Sequence, residues 1–179
     1  MPVREHDQWV VLYTREEGKI GAVARGSLRA HSKQSPALDE GNMIQCELVF
    51  GKSAPIITSA HTVRSWSTAK RSGVRWAAIL FFLQVFDTVI YESQSDERLW
   101  ACLLQTIQDI DVSADGDAVR VFRMCQLRML DVLGYGSELV GVASEKVARS
   151  DIDDAFEQIA QRRLSSLDLF YGMASKHVL

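Results

Sequence analysis

Near residue 68 of this 179-residue chain the hydrophobic residues change period. Before that point they come in short runs suited to strands; after it they recur every three or four positions, as on one side of a helix. The two patterns bury their apolar faces differently, so the sequence predicts an α+β protein in two parts, β first and α second.

Within the first part, Gln8 to Thr14 is rich in Trp, Val, Leu and Tyr, and Lys19 to Ala24 follows after Glu16-Glu17-Gly18. Glycine there can take the positive φ that a hairpin turn needs. From Met43 to Phe50, one alternating set, Ile44, Cys46, Leu48 and Phe50, is expected to face a core. Past Gly51-Lys52-Ser53 a fourth strand is predicted from Pro55 to Val63, with proline at its start, where a missing N–H does least harm. Four short strands with polar turns predict a small barrel or meander over residues 1–68.

Residues 69–179 read as helical. Arg71 to Tyr91 is apolar on nearly every side, with Val74, Trp76, Ile79, Phe81, Phe82, Val85, Phe86 and Val89, the pattern of a central covered helix. Asp96 is expected to cap a helix bearing Leu99, Cys102, Leu103, Ile107 and Ile110. Asp117 is expected to cap the next, which would bury Val121, Met124, Cys125, Met129 and Leu133. That helix should stop at Gly134-Tyr135-Gly136, with Tyr135 packed back on the bundle. Ser150-Asp151-Ile152-Asp153 reads as the start of a last helical region through Phe156, Ile159, Leu164, Leu167 and Phe170.

A hydrophobic content of 47% is enough to build a core. Cys46, Cys102 and Cys125 lie far apart with no CxxC pair, so neither a disulfide framework nor a local zinc site is readable, and a reducing, cytosolic setting is expected. The N-terminus lacks the pattern of a signal peptide. The strongest apolar run, Trp76 to Ile90, contains Gln84 and Asp87 and falls short of the roughly 20 residues that span a bilayer. Charge is uneven: residues 1–75 hold eleven Lys/Arg against seven Asp/Glu, and residues 76–179 hold nine against sixteen. A basic front on an acidic back suggests that the front meets nucleic acid.

One resemblance emerges from short motifs in order: Thr14-Arg15-Glu16-Glu17-Gly18-Lys19, Ala24-Arg25-Gly26, Arg29, Ser32-Lys33, then Phe122-Arg123, Gln126-Leu127-Arg128, Leu130 and Leu133-Gly134-Tyr135-Gly136. Over residues 4 to 140 the chain resembles the bacterial recombination-mediator family RecO. That resemblance implies an OB-fold followed by a helical domain, with no enzymatic turnover. It also implies binding to single- and double-stranded DNA, annealing of complementary strands, and help in loading RecA together with RecR. The helical domain of the family also accepts the acidic C-terminal tail of the single-stranded-DNA-binding protein. Two departures stand out. Family members carry a strand ahead of the part that matches Pro2 to Tyr13, so the barrel here is expected to lack an edge strand or to be completed otherwise. Many also carry a four-cysteine zinc module after the Gly-Tyr-Gly motif, and Ser137 to Arg149 holds no cysteine, so no metal or other cofactor is expected.

Candidate DNA contacts are Arg15, Lys19, Arg25, Arg29, Lys33 and Lys52, because nucleic-acid affinity comes mainly from several cations over one surface. The alternative is an ordinary solvated face. Trp9, Tyr13 and Trp66 are the aromatics available to stack on bases or to fill the core. For an acidic tail the candidates are Arg123 and Arg128, five residues apart and so about 140° apart around a helix. Each could flank an apolar groove; the alternative for Arg128 is a surface pair with Asp131.

Catalytic motifs are absent from the sequence: there is no Walker-type loop, HExxH or GxSxG, and His6, His31, His61 and His177 lie in unrelated contexts. Asp151, Asp153 and Asp154 are read as helix-start acids, with a metal-dependent nuclease as the rival reading. The expectation is a cytoplasmic, nucleoid-associated mediator with no membrane partner. A protein-only adaptor built on an incomplete barrel is the alternative.

Overall fold

A computed structural model describes residues 2–51, 53–92, 94–136 and 149–175. The chain divides into two compact units: Met1–Ser65 with Tyr91–Ser95, and Trp66–Ile90 with Asp96–Leu179.

The first unit is a five-stranded sheet. Its strands are β1 (Pro2–Arg4), β2 (Asp7–Thr14), β3 (Gly18–Ala24), β4 (Met43–Phe50) and β5 (Pro55–Arg64). They lie in the order β1-β2-β3-β5-β4. All neighbours are antiparallel except β3 and β5, which pair in parallel at Val23–Ile56 and Ala24–Ile57. This five-stranded, partly open arrangement is OB-like. The short β1 was not foreseen; Pro2 and Arg4 pair with Gln8 and Asp7, adding a strand to the four expected.

Alternation fixes the two faces of the sheet. Ala22, Ala24, Ile57 and Ala60 form a buried cluster with Ala37 and Leu38, and Val10, Leu12, Ile44, Cys46 and Leu48 pack against it. Phe50 shares the parity of Leu48 but is 67% exposed, because it pairs with Pro55 at the strand end, beyond the core. The β2–β3 turn is set by Thr14, whose Oγ1 accepts from Glu17 N–H (3.0 Å) and donates to the Gly18 carbonyl (3.1 Å). Gly18 has φ +70°, as the turn requires. A strap over Tyr91–Ser95 belongs to this unit: Glu92 bridges in parallel to Lys19, and a Cβ on Gly18 would lie 2.1 Å from the Gln94 carbonyl oxygen.

The second unit holds α1 (Ser67–Lys70), α2 (Gly73–Val89), α3 (Glu97–Val112), α4 (Ala118–Val132), α5 (Arg149–Ala160) and α6 (Ser165–Ala174). Helix α2 is the covered one, with Val74, Ala77, Ala78, Ile79, Phe81, Phe82 and Val85 nearly inaccessible. Its Phe81 meets Phe122 and Phe156 edge-on at centroid distances of 5.0 and 5.2 Å, and Phe122 stacks on Phe170 at 3.9 Å. The helix opens on Ser72, whose Oγ accepts from Arg75 N–H and donates to Asp115 (2.7 Å). Asp115 also takes Arg75 Nε at 2.7 Å, and Arg75 Nη1 donates to the carbonyls of Asp111 and Ser113.

Asp96 caps α3 as expected, accepting from the backbone N–H of Arg98 and Leu99. Asp117 does not cap α4: it ends a 3₁₀ turn over Asp115–Asp117 and holds Arg120 Nε at 3.2 Å instead. Met124, expected inside, is 42% exposed. Helix α4 ends in a Schellman motif, with Gly134 at φ +92°, Tyr135 N–H donating to Leu130 and Gly134 N–H to Asp131. Tyr135 is 41% exposed rather than packed back. The last helical region is two helices, broken where Gln161 takes φ +51°. Ser150 lies inside α5 rather than at its cap. The segment 137–148, where a zinc module was expected to be missing, lies outside the described residues.

Burial separates the three thiols. Cys102 and Cys125 are buried and Cys46 is intermediate. Burial pushes Cys125 up to about 11 against the opposing pull of Arg128. An aromatic disulfide reagent should therefore label Cys46 faster than Cys102 and Cys125 in the native protein, and all three alike after denaturation. Because the folded thiol holds its proton past the ordinary value of 9.0, Cys125 adds stability below that pH which is lost as pH rises towards 11. Labelling of Cys125 as fast as Cys46 would contradict the packing.

Candidate nucleic-acid interface

The charge asymmetry of the sequence does not follow the boundary between the units. Residues 1–65 and 91–95 carry eight Lys/Arg and eight Asp/Glu, because Lys70, Arg71 and Arg75 of the basic front belong to the helical unit. What the sheet offers instead is a local concentration. From Gly18 to Leu38 there are four cations, Lys19, Arg25, Arg29 and Lys33, and no acid.

Three of these sit on the long loop between β3 and β4. The loop leaves β3 through Gly26, at φ +62°, whose N–H donates to Asp7 Oδ1 at 2.9 Å, while Leu28 N–H reaches the His6 carbonyl at 3.1 Å. Successive turns, Arg29 N–H to Gly26 O and Ser32 N–H to Arg29 O, carry it outward. At its far end Ala37 and Leu38 are buried in the sheet core and Gln34 Nε2 donates to the Thr58 carbonyl at 2.8 Å. The backbone is thus pinned at both ends, and Arg25, Arg29 and Lys33 are exposed between the pins.

Lys19 and Arg15 lie elsewhere. Arg15 is exposed in the β2–β3 turn, and Lys19 is half-buried opposite Tyr13. Six residues of extended chain separate Lys19 from Arg25, about 20 Å. The structure therefore divides the expected cation set into two groups, one at each end of the β2–β3 hairpin. Lys52 lies outside the described residues.

Between the two groups runs the outward face of the hairpin. Since Val10, Leu12, Ala22 and Ala24 face the core, Trp9, Val11 and Tyr13 must point the other way, beside Lys19, Gly21 and Val23. Val11, at the middle of this face, is 47% exposed. Trp66, the third aromatic considered, is 1% exposed in the helical unit and has no surface on which a base could stack. Sequence reasoning left Val11, Gly21 and Val23 out of the site; their spacing from Trp9 and Tyr13 was the available signal.

On α4, Arg123 is half-buried beside exposed Met124 and Leu127. Arg128 is engaged: its Nη1 lies 2.8 Å from Asp109 of α3, the pair standing in place of the Asp131 contact considered from sequence. Burial opposes the Arg128 charge, but the hydrogen bond and charge of Asp109 outweigh it and raise its pKa. The two arginines are not brought to one groove by these contacts. Asp153 accepts from Gln126 Nε2 (3.0 Å) and Tyr171 OH (2.8 Å), a structural role. Among the described residues no three His, Cys, Asp or Glu side chains are grouped to hold a metal, and no helix is long and apolar enough to cross a membrane.

Residues 1–66 match the family model for the Recombination protein O N terminal domain. The chain is 29% identical over 150 residues to a DNA repair protein RecO of Symbiobacterium thermophilum, covering 82% of this chain and 59% of the relative. It is 27% identical over 139 residues to the DNA repair protein RecO of Bacillus pumilus, covering 75% and 52%, and 26% identical over 131 residues to that of Listeria welshimeri, covering 73% and 51%. The chain thus spans little more than half the length of these curated relatives. With an OB-like strand order under the matched region and helices after it, the chain is similar to RecO proteins over most of its length.

Proposed function

We propose that the chain is a DNA repair and recombination mediator without catalytic turnover. It binds single- and double-stranded DNA, anneals complementary strands, and assists RecA loading together with RecR and single-stranded-DNA-binding protein. It acts in the cytoplasm at the nucleoid. The observation that carries the reading is the pinned loop presenting Arg25, Arg29 and Lys33 with no acid from Gly18 to Leu38. Similarity to proteins named for DNA repair supports it.

Cations on a pinned loop lose little conformational freedom of the backbone when they meet phosphate, and each contact releases counterions. Arg15 and Lys19, at the other end of the β2–β3 hairpin, are further candidates, as is Lys52 from its sequence position. For an acidic tail the candidates are Arg123, beside Met124 and Leu127, and Arg128, which holds Asp109. The adaptor reading draws on one feature: β4 is an edge strand, with Val49 and Phe50 exposed at its end.

The test is fluorescence anisotropy of labelled single-stranded DNA across a salt series. The parent is expected to give a straight fall of log affinity with log salt. Changing Arg25, Arg29 and Lys33 together to alanine should reduce that slope by about 2, at roughly 0.7 per phosphate contact, and weaken unrelated sequences alike. An unchanged slope in the triple variant would place the DNA elsewhere, and no salt-dependent binding by the parent would favour the adaptor.

A further inference from the structure

We propose that Trp9, lodged above Gly21 on the outward face of β2 and β3, is a base-stacking residue that gives this site a preference for nucleic acid with unpaired bases. The inference rests on the DNA-binding reading and adds to it the class of strand the site selects.

Strand register supplies the geometry. Trp9 pairs with Val23, and Val11 pairs with Gly21, so Gly21 lies on the diagonal from Trp9. Large side chains reach a diagonal neighbour across an antiparallel pair. Here the indole fills the space a side chain at position 21 would occupy: a Cβ on Gly21 would stand 2.3 Å from its Cζ2, 3.0 Å from Cε2 and 3.2 Å from Cη2. Glycine at 21 is what lets a tryptophan settle at this place on the sheet. Trp9 is half-buried, and the neighbouring Val11 is 47% exposed.

Position along the hairpin gives the residue its role. Trp9 sits opposite Val23, two residues from Arg25 and four from Lys19, or about 7 Å and 13 Å of extended strand. A phosphate backbone running from the Arg25 end towards the Lys19 end crosses the ring on its way. Bases in a duplex stack on each other and hide their faces, whereas an unpaired base has a face to offer. Stacking of this kind needs a π surface and no particular base. Tyr13, directly across from Lys19, lies further along the same face.

The test compares two oligomers of equal length and phosphate count, one of thymidine and one of abasic sugar-phosphate, by anisotropy with the full chain. The parent should bind thymidine about tenfold tighter than the abasic oligomer. Trp9→Leu should bring that ratio close to 1 and Trp9→Phe should leave it in between; the phenylalanine variant carries the test if the leucine variant does not fold. A parent ratio near 1, or a ratio that survives both substitutions, overturns the stacking role while leaving DNA binding intact. Failure of the parent to bind either oligomer overturns the DNA-binding reading itself, and this inference with it.

Discussion

Phe122→Ala is expected to remove about 3–5 kcal/mol of stability from the helical unit. Phe122 is 1% exposed, and its ring is shared among Phe81, Phe82 and Phe170 at centroid distances of 5.0, 5.5 and 3.9 Å. Truncation opens a cavity that three helices border and that rigid rings cannot collapse to fill. At about 4 °C per kcal/mol, the melting transition followed by helix circular dichroism should fall by roughly 10–20 °C. Met124→Ala is the control on the same helix: at 42% exposure it should shift the transition little. Equal effects of the two substitutions would mean that the face of α4 is assigned wrongly.

Gly18→Ala should be the most damaging conservative change in the sheet unit, at about 2–3 kcal/mol. Two costs combine. A left-handed conformation at φ +70° costs an L-residue about 1–2 kcal/mol. The new methyl would also stand 2.1 Å from the backbone oxygen of Gln94, an atom that cannot turn aside as a side chain can. The strap must leave β3, so protease cleavage within Tyr91–Ser95 should become faster. Gly134→Ala separates the two terms: its φ is +92°, but nothing lies within 4 Å, so it should show the backbone cost alone. If the two variants melt together, the close approach of the strap has no energetic weight.

Both substitutions bear on what a sequence can and cannot reveal. Local rules were legible because they act through neighbours in the chain: the glycine of the β2–β3 turn, Asp96 at the start of α3 and Gly134 at the end of α4 are where turn and cap chemistry puts them. Asp117 failed as a cap because distant Arg75 draws Asp115, two residues earlier, into a contact network, and the chain enters α4 through a 3₁₀ turn. In β2 both alternating sets are apolar, so period two could not tell Val10 and Leu12, which face the core, from Trp9, Val11 and Tyr13, which do not. Trp66, 1% exposed, belongs to the helical unit and not to the sheet. The partner of Arg128 was misplaced for a similar reason: Asp109 is nineteen positions away in sequence and one helix away in space.

Charge carries the same lesson. Counting along the chain gave a basic first part, while counting within the sheet unit gives balance. The cations that matter to the proposed site are distinguished by the acid-free stretch from Gly18 to Leu38 that holds them, not by a regional sum.

The strap leaves a mark on how this protein is made. The sheet unit takes in Tyr91–Ser95, which follow α2 in the chain, so the polypeptide emerging from a ribosome has not completed this unit when residue 65 appears. The edge of β3 near Gly18 and Lys19 stays uncovered while about thirty more residues are synthesised, a few seconds at about 5–20 residues per second. For that interval a nascent chain carries an open strand edge beside its own proposed nucleic-acid contacts, and the ribosome around it is itself rich in phosphate.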